Sequence, residues 1–134
     1  MKKIFSVLVA MVLCFVPIFA QAQEVATPYY LHIRSMAHLF DIDEQNSYGL
    51  VDAHITIKSG ASCSAKATVQ REINGVWRNV IAYTETGTTS AMISEDPYLS
   101  QGYKYKCVFT FTVYDSSGNV IEQKTFTSQE VDYR

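Results

Sequence analysis

Between Gly102 and Asp115 the chain reads GYKYKCVFTFTVYD, and its side chains alternate in character residue by residue. The odd positions are Tyr103, Tyr105, Cys107, Phe109, Phe111 and Val113, and the even ones are mostly lysine and threonine. Successive side chains of an extended strand point to opposite faces, whereas a helix would spread these aromatics around its circumference. The stretch therefore specifies a long strand with one apolar face. That face is expected to floor a core. The even face, with Lys104, Lys106, Thr110, Thr112 and Tyr114, is the half that a partner can touch.

The chain after residue 23 offers no helical period, and strand signals recur between Gly, Asn, Asp, Ser and Pro. A first strand lies within Tyr30–Asp43. There Leu31 and Ile33 are out of phase with Phe40 and Ile42, and a bulge near Ser35-Met36 reconciles them. The second, Leu50–Lys58, sends Val51, Ala53, Ile55 and Ile57 one way and Asp52, His54, Thr56 and Lys58 the other. The third, Ala61–Ile73, sets Ala61, Cys63, Ala65 and Ala67 on its inner face, leaving room across the core for the aromatic row. Asn74-Gly75 tolerates the positive φ angles of a two-residue type I′ turn, so this strand pairs with a fourth, Val76–Thr84. Glu85 to Gly87 reads as a loop, a fifth strand covers Thr88–Ser94, and Pro97 closes it off. The alternating stretch is the sixth. A turn from Asp115 to Gly118 leads into a seventh, Asn119–Ser128, and residues 129–134 read as frayed.

The beginning of the chain carries a different signal. Lys2 and Lys3 precede an uncharged run from Ile4 to Ala20, followed by the small residues Ala20 and Ala22. That order makes a secretory signal peptide, residues 1–22, and leaves one domain at 23–134. The run is shorter than the ~20 residues of a membrane span and is broken by Pro17, and Leu13 before Cys14 does not suit a lipoprotein. The expected location is secreted or cell-surface associated, with no membrane contact after cleavage. Losing two lysines takes the formal charge from −2 to −4. Such a domain lacks the clustered Lys and Arg that phosphate neutralisation requires, so nucleic acid is not an expected partner.

Two cysteines remain after cleavage, Cys63 and Cys107. In an oxidising compartment an even pair reads first as a disulfide, and closing that loop would contribute roughly 3–4 kcal/mol. Cys63, Trp77 and Cys107 follow the order used by immunoglobulin domains, and Tyr105 stands two residues before the second cysteine, where those domains place a corner tyrosine. The chain departs from that pattern where Asn74-Gly75 sets the cysteine strand and the tryptophan strand side by side. The expected fold class is all-β: an immunoglobulin-like antiparallel sandwich of about seven strands with one disulfide and its strand order open.

Residues able to carry chemistry are scattered. Asp52 and His54 share a strand face, and with His32 or His38 from a neighbouring strand they hold the donor types of a zinc site. Asp41, Asp43 and Asn46 suggest a calcium turn, but the EF-hand pattern needs glycine where Asn46 stands and glutamate where Asp52 stands. Both clusters read more simply as solvated strand and turn residues, so no metal and no cofactor is expected. No Gly-x-Ser-x-Gly, His-Glu-x-x-His or phosphate-cradling loop occurs. With no catalytic residues to name, the chain is not expected to be an enzyme. A metal-dependent hydrolase would require His32, His38 and His54 to converge.

Tyrosine is the better lead. The chain has nine tyrosines and one tryptophan, residue types that anchor peptide and carbohydrate surfaces. Tyr48, Tyr98 and Tyr114, near turns or on an outer face, are the candidate ligand contacts. The motifs Asn74 to Trp77, Gly102 to Lys106 and Val113 to Glu122, in that order and spacing, resemble those of a group of small exported β-sandwich proteins of unknown function, found mainly in Gram-positive bacteria. The resemblance covers Ile33 to Ser128, implies secretion and a sandwich, and brings no site residues with it. The expected function is a non-enzymatic surface or extracellular binding module for a glycan, peptide or partner protein. The alternative is a secreted inhibitor or immunity-type protective protein.

Overall fold

The computed structural model describes residues 30–134, and the expected signal peptide and its cleavage site lie outside the described residues. Eight strands form: β1 (Ile33–Asp43), β2 (Tyr48–Ile57), β3 (Ser62–Ile73), β4 (Val76–Gly87), β5 (Ser90–Glu95), β6 (Tyr103–Tyr114), β7 (Val120–Thr127) and β8 (Val131–Tyr133). Every paired neighbour is antiparallel. The first sheet runs β1-β2-β5 and the second β4-β3-β6, with β7 and β8 one after the other along the far border of β6.

The period-two patterns decide which side chains the sheets enclose. Val51, Ala53, Ile55 and Ile57 of β2 are buried, as are Ala91 and Ile93 of β5, Cys63 to Val69 of β3 in alternate positions, and Tyr105 to Val113 in the odd row of β6. Each large apolar side chain buried this way contributes roughly 1.5–3 kcal/mol. The small residues of β3 are not across the core from the aromatic row, as expected, but beside it: Ala65 pairs with Phe111 and Ala67 with Phe109 in one sheet. Large next to small keeps the floor level, and the side chains of the first sheet close it from above.

The expected bulge forms slightly earlier than anticipated. A register shift between Ile33 and Ser35 skips Arg34 and brings Ile33 into the inward phase of Phe40 and Ile42. Asn74 and Gly75 have φ of 53° and 79°, the positive pair that a type I′ hairpin needs, and β3 and β4 pair side by side from Ile73↔Val76 onward. Tyr105 donates its hydroxyl to the carbonyl of Ser100 at 2.6 Å, a corner bond to the connection that leads into its own strand.

Three further expectations need correction. Cys63 and Cys107 are free and buried. Cys107 pairs with Val69, six positions along β3 from Cys63, which separates the two by about 20 Å at ~3.3 Å per residue, whereas a disulfide needs its Cα atoms within about 7 Å. Trp77 lies on the outer face of the second sheet, half-buried, with the Lys106 ammonium 4.2 Å from its ring centroid. The segment Glu85 to Gly87 continues β4, because Cys63, Ser64 and Ala65 of β3 keep offering ladder partners to it. The tail is not frayed. Ser128 interrupts the ladder, its hydroxyl accepting from the Cys107 N–H at 2.8 Å, and the chain resumes as β8 against β6. Tyr133 is buried, with its hydroxyl 2.8 Å from that of Ser47, so the eighth strand is anchored by a side chain the local pattern does not flag.

One carboxylate ties the start of β1 to β7. The two oxygens of Glu122 accept from the consecutive backbone N–H groups of Leu31, His32 and Ile33 at 3.0, 2.9 and 3.1 Å. Burial pushes its pKa up, but the three N–H groups and the nearby His32 outweigh that and hold it below the ordinary glutamate value. A carboxyl with a lowered folded pKa contributes stability above its unfolded pKa and loses it as pH falls through the folded one. We expect Glu122→Gln to cost about 1 kcal/mol at neutral pH, the modest end for charge-assisted bonds because the clip is partly exposed. Urea midpoints of the two proteins should converge below about pH 4; a gap that persists undiminished into acid would sink this assignment.

Candidate functional site

Side chains at alternate positions of β1, β2 and β5 point away from the core and form the outer face of the first sheet. The ladder registers arrange them in rows: Ala37, His54 and Met92; Leu39, Asp52 and Ser94; then Asp41 and Leu50; then Asp43 and Tyr48. That last row is completed by an isolated bridge from Tyr48 to Tyr98 in the connection after β5. A shallow hollow of about 300 Å³ opens at its centre, reached by Leu39, Asp52, His54 and Met92.

This face is unusually apolar for a solvated surface. Leu39 is 53%, Leu50 37%, Met92 65%, Tyr48 48% and Tyr98 69% exposed, five of the large hydrophobic side chains left open by the fold. Isolated exposed hydrophobes are ordinary, but a contiguous group marks a contact surface. The outer face of the second sheet differs. It carries Thr68, Thr110, Thr112, Thr125 and Thr127 with Lys66, Lys104 and Lys106.

The aromatic end of the face is held rigidly. The Gly49 N–H donates to the Pro97 carbonyl at 2.7 Å and the Leu99 N–H to the Ser47 carbonyl at 2.8 Å, clamping Tyr98 between two ladder bonds. Gly49 has no side chain because Leu99 fills its place: a Cβ there would stand 2.9 Å from the Leu99 Cδ1. The rings of Tyr48 and Tyr98 meet edge to face, with centroids 6.4 Å apart and planes at 83°. That is a favoured aromatic arrangement and leaves both rings accessible.

Charge around the hollow and the aromatic pair has one sign. In the rows from Ala37 to Tyr48 the ionised outward side chains are Asp41, Asp43 and Asp52, and the exposed Arg34 stands beyond those rows, in the bulge that starts β1. Asp43 is held below the usual carboxylate range, chiefly by the Asn46 side-chain amide donating at 2.8 Å, with the Asn46 and Gln45 N–H groups adding to it. The side chain expected as a calcium ligand thus closes its own turn. Among the described residues no group of three or more His, Cys, Asp or Glu side chains is arranged to hold a metal ion.

The candidate residues separate accordingly. Tyr48 and Tyr98 come together, whereas Tyr114 lies at the far end of β6, its hydroxyl 3.2 Å from that of Ser64 on the second sheet. The histidines do not converge. His54 belongs to the outer face with Asp52, and its Nε2 lies 3.3 Å from the Thr56 hydroxyl. His38 points the other way, with its ring centroid 4.9 Å from that of Phe126 and 5.0 Å from that of Phe109. His32 meets the Ser59 hydroxyl at 2.7 Å. Leu39, Leu50 and Met92 escaped sequence reasoning although a signal existed. In Leu39-Phe40, Leu50-Val51 and Met92-Ile93 the alternation breaks, with both faces of the strand apolar. Comparison of the chain with protein-family models and with curated protein sequences returns no match to either.

Proposed function

We propose that this protein is an exported, non-enzymatic binding module that engages a partner protein through the outer face of its first sheet. The observation that carries this reading is the contiguous group of Leu39, Leu50, Met92, Tyr48 and Tyr98, bordered by the carboxylates of Asp41, Asp43 and Asp52. Its shape suits a protein surface better than a single sugar or a buried small molecule, because the central hollow is shallow and the aromatic pair stands at its margin. Its charge specifies the partner's complement: an apolar patch bordered by lysine or arginine. A secreted inhibitor that caps a cationic surface of another protein is the second reading, favoured by the same one-signed charge.

The framework we assign to it is an immunoglobulin-like sandwich. Lettered in chain order, β1-β2-β5 corresponds to A-B-E and β4-β3-β6-β7 to C′-C-F-G. The Tyr105 corner bond supports the assignment. The cysteines occupy C and F, neighbours in one sheet, rather than the B and F strands that an inter-sheet disulfide joins.

A photoreactive residue placed at Met92 should give a discrete protein adduct in cells exporting the protein, and the same residue at Thr110 on the other face should not. Asp52→Lys should diminish the Met92 adduct several-fold, since it reverses the central charge. Equal labelling from both faces, or labelling indifferent to Asp52, would overturn the assignment of this face.

A further inference from the structure

A strand at the border of a sheet presents a row of N–H and C=O groups without ladder partners, and proteins blunt such borders with charge, proline, short length or bulges. Three of the four borders here are blunted. β4 carries Arg78, Glu85 and a register shift opposite Val69 and Gln70. β5 is only 6 residues long. β7 bears Glu122 and Lys124 and breaks off before β8. β1 is the exception: from Ser35 to Phe40 it has no charge and no proline, its bulge sits at its very start, and among the described residues its ladder partner is β2 alone.

Space lies on both sides of that border. The outer hollow reaches Ala37, His38 and Leu39, and a second cavity of about 300 Å³ opens between the β1 border and the end of β7, lined by His38, Leu39, Phe40, Thr127, Ser128 and Gln129. A strand laid along β1 would send alternate side chains over one and into the other. Charge identifies the strand that fits. Arg34 stands at one end of the uncharged run and Asp41 at the other, so an antiparallel copy of the same sequence brings each Arg34 toward the partner's Asp41.

We propose that β1 pairs with β1 of a second copy of this chain, antiparallel about His38, joining two 3-stranded sheets into one. Identical antiparallel strands satisfy the self-complementarity of a twofold interface. In this register Ala37 lies opposite the partner's Leu39, and Ser35 opposite the partner's Asp41. Leu39 stands at this seam, while Leu50, Met92, Asp52 and the tyrosine pair stay open on each copy, so the pairing does not depend on the partner protein proposed above.

Sedimentation of the exported protein from low micromolar to millimolar concentration should reveal a monomer–dimer equilibrium. Ala37→Lys combined with Leu39→Lys sets lysines opposite one another twice and should weaken the dimer about tenfold. Ala37→Lys combined with Leu39→Glu makes the opposed residues complementary and should restore it. Both positions are exposed, and circular dichroism verifies that each variant folds. Asn79→Lys with Thr84→Lys on the border of β4 should leave the equilibrium unchanged. A monomer across the whole series overturns the proposal. So does a dimer that tolerates the lysine pair on β1, that the lysine–glutamate pair fails to recover, or that the β4 changes abolish.

Discussion

Phe109→Ala is expected to lower unfolding free energy by about 3–5 kcal/mol, while Thr110→Ala, one residue along the same strand, should change it by no more than about 0.5 kcal/mol. Phe109 is fully enclosed, set beside Ala67 in its own sheet and under the His38 ring from the other. Truncation there removes an aromatic ring from a site whose floor is β backbone and cannot collapse into the gap. Thr110 points outward and loses only a long contact with Thr125, 3.4 Å between hydroxyl oxygens. Domains of this size are stable by about 5–15 kcal/mol, so the first change should remove a large share of the total and lower Tm by more than ten degrees. Urea titration of both variants reads the contrast directly. Comparable losses at the two positions would mean that the strand does not lie with its odd face inward.

The second large effect concerns the cysteines. Exported protein, freed of residues 1–22 and so of Cys14, should take up two equivalents of alkylating agent when unfolded without reductant, one at Cys63 and one at Cys107, and none over the same interval when native. Burial pushes the Cys63 thiol up, and pushes Cys107 to about 12 against a smaller opposing contribution from a backbone bond with Thr68. The thiolate is the reactive species, so at pH 8 a thiol titrating near 12 is ionised to about one part in ten thousand. Burial also denies the reagent access. Cys107→Ala should then behave as the loss of a small core side chain, costing about 1–2 kcal/mol, not the ~2–5 kcal/mol of a severed native disulfide. Unfolded protein that takes up no reagent until it is reduced would show the cysteines bridged and the β3–β6 register wrong.

The two results test different levels of the same reading. Alternation along Tyr103–Val113 is a local property: a strand offers two faces, only one of them can be buried in a two-layer domain, and the aromatics choose it. The turn at Asn74-Gly75 was equally legible, because only a few residue pairs accept positive φ at both positions. The break of phase in β1 likewise required a bulge, whatever the rest of the chain did.

Pairing between distant strands follows from nothing local. An even pair of cysteines in the expected compartment suggested a bridge, yet β3 lies beside β6 in a register that matches Cys63 with Val113 and Cys107 with Val69. That register is set by fitting Ala65 and Ala67 against Phe111 and Phe109, a fit summed over the whole strand. The same dependence explains Trp77, sent outward by its pairing with Glu72, and Tyr133, whose three-residue strand exists because β6 had a border left to fill.

The candidate site divides in the same way. Tyr48 and Tyr98 could be chosen from the chain for their residue type and their place near turns, but no local pattern relates residues so far apart. They meet because Gly49 and Leu99 interlock where the β1–β2 turn abuts the β5–β6 connection. Residue chemistry along the chain dictated strands, turns and the identity of the core-forming face. Tertiary packing alone decided which outward side chains became neighbours, since a surface patch is assembled across ladders whose register depends on the entire core.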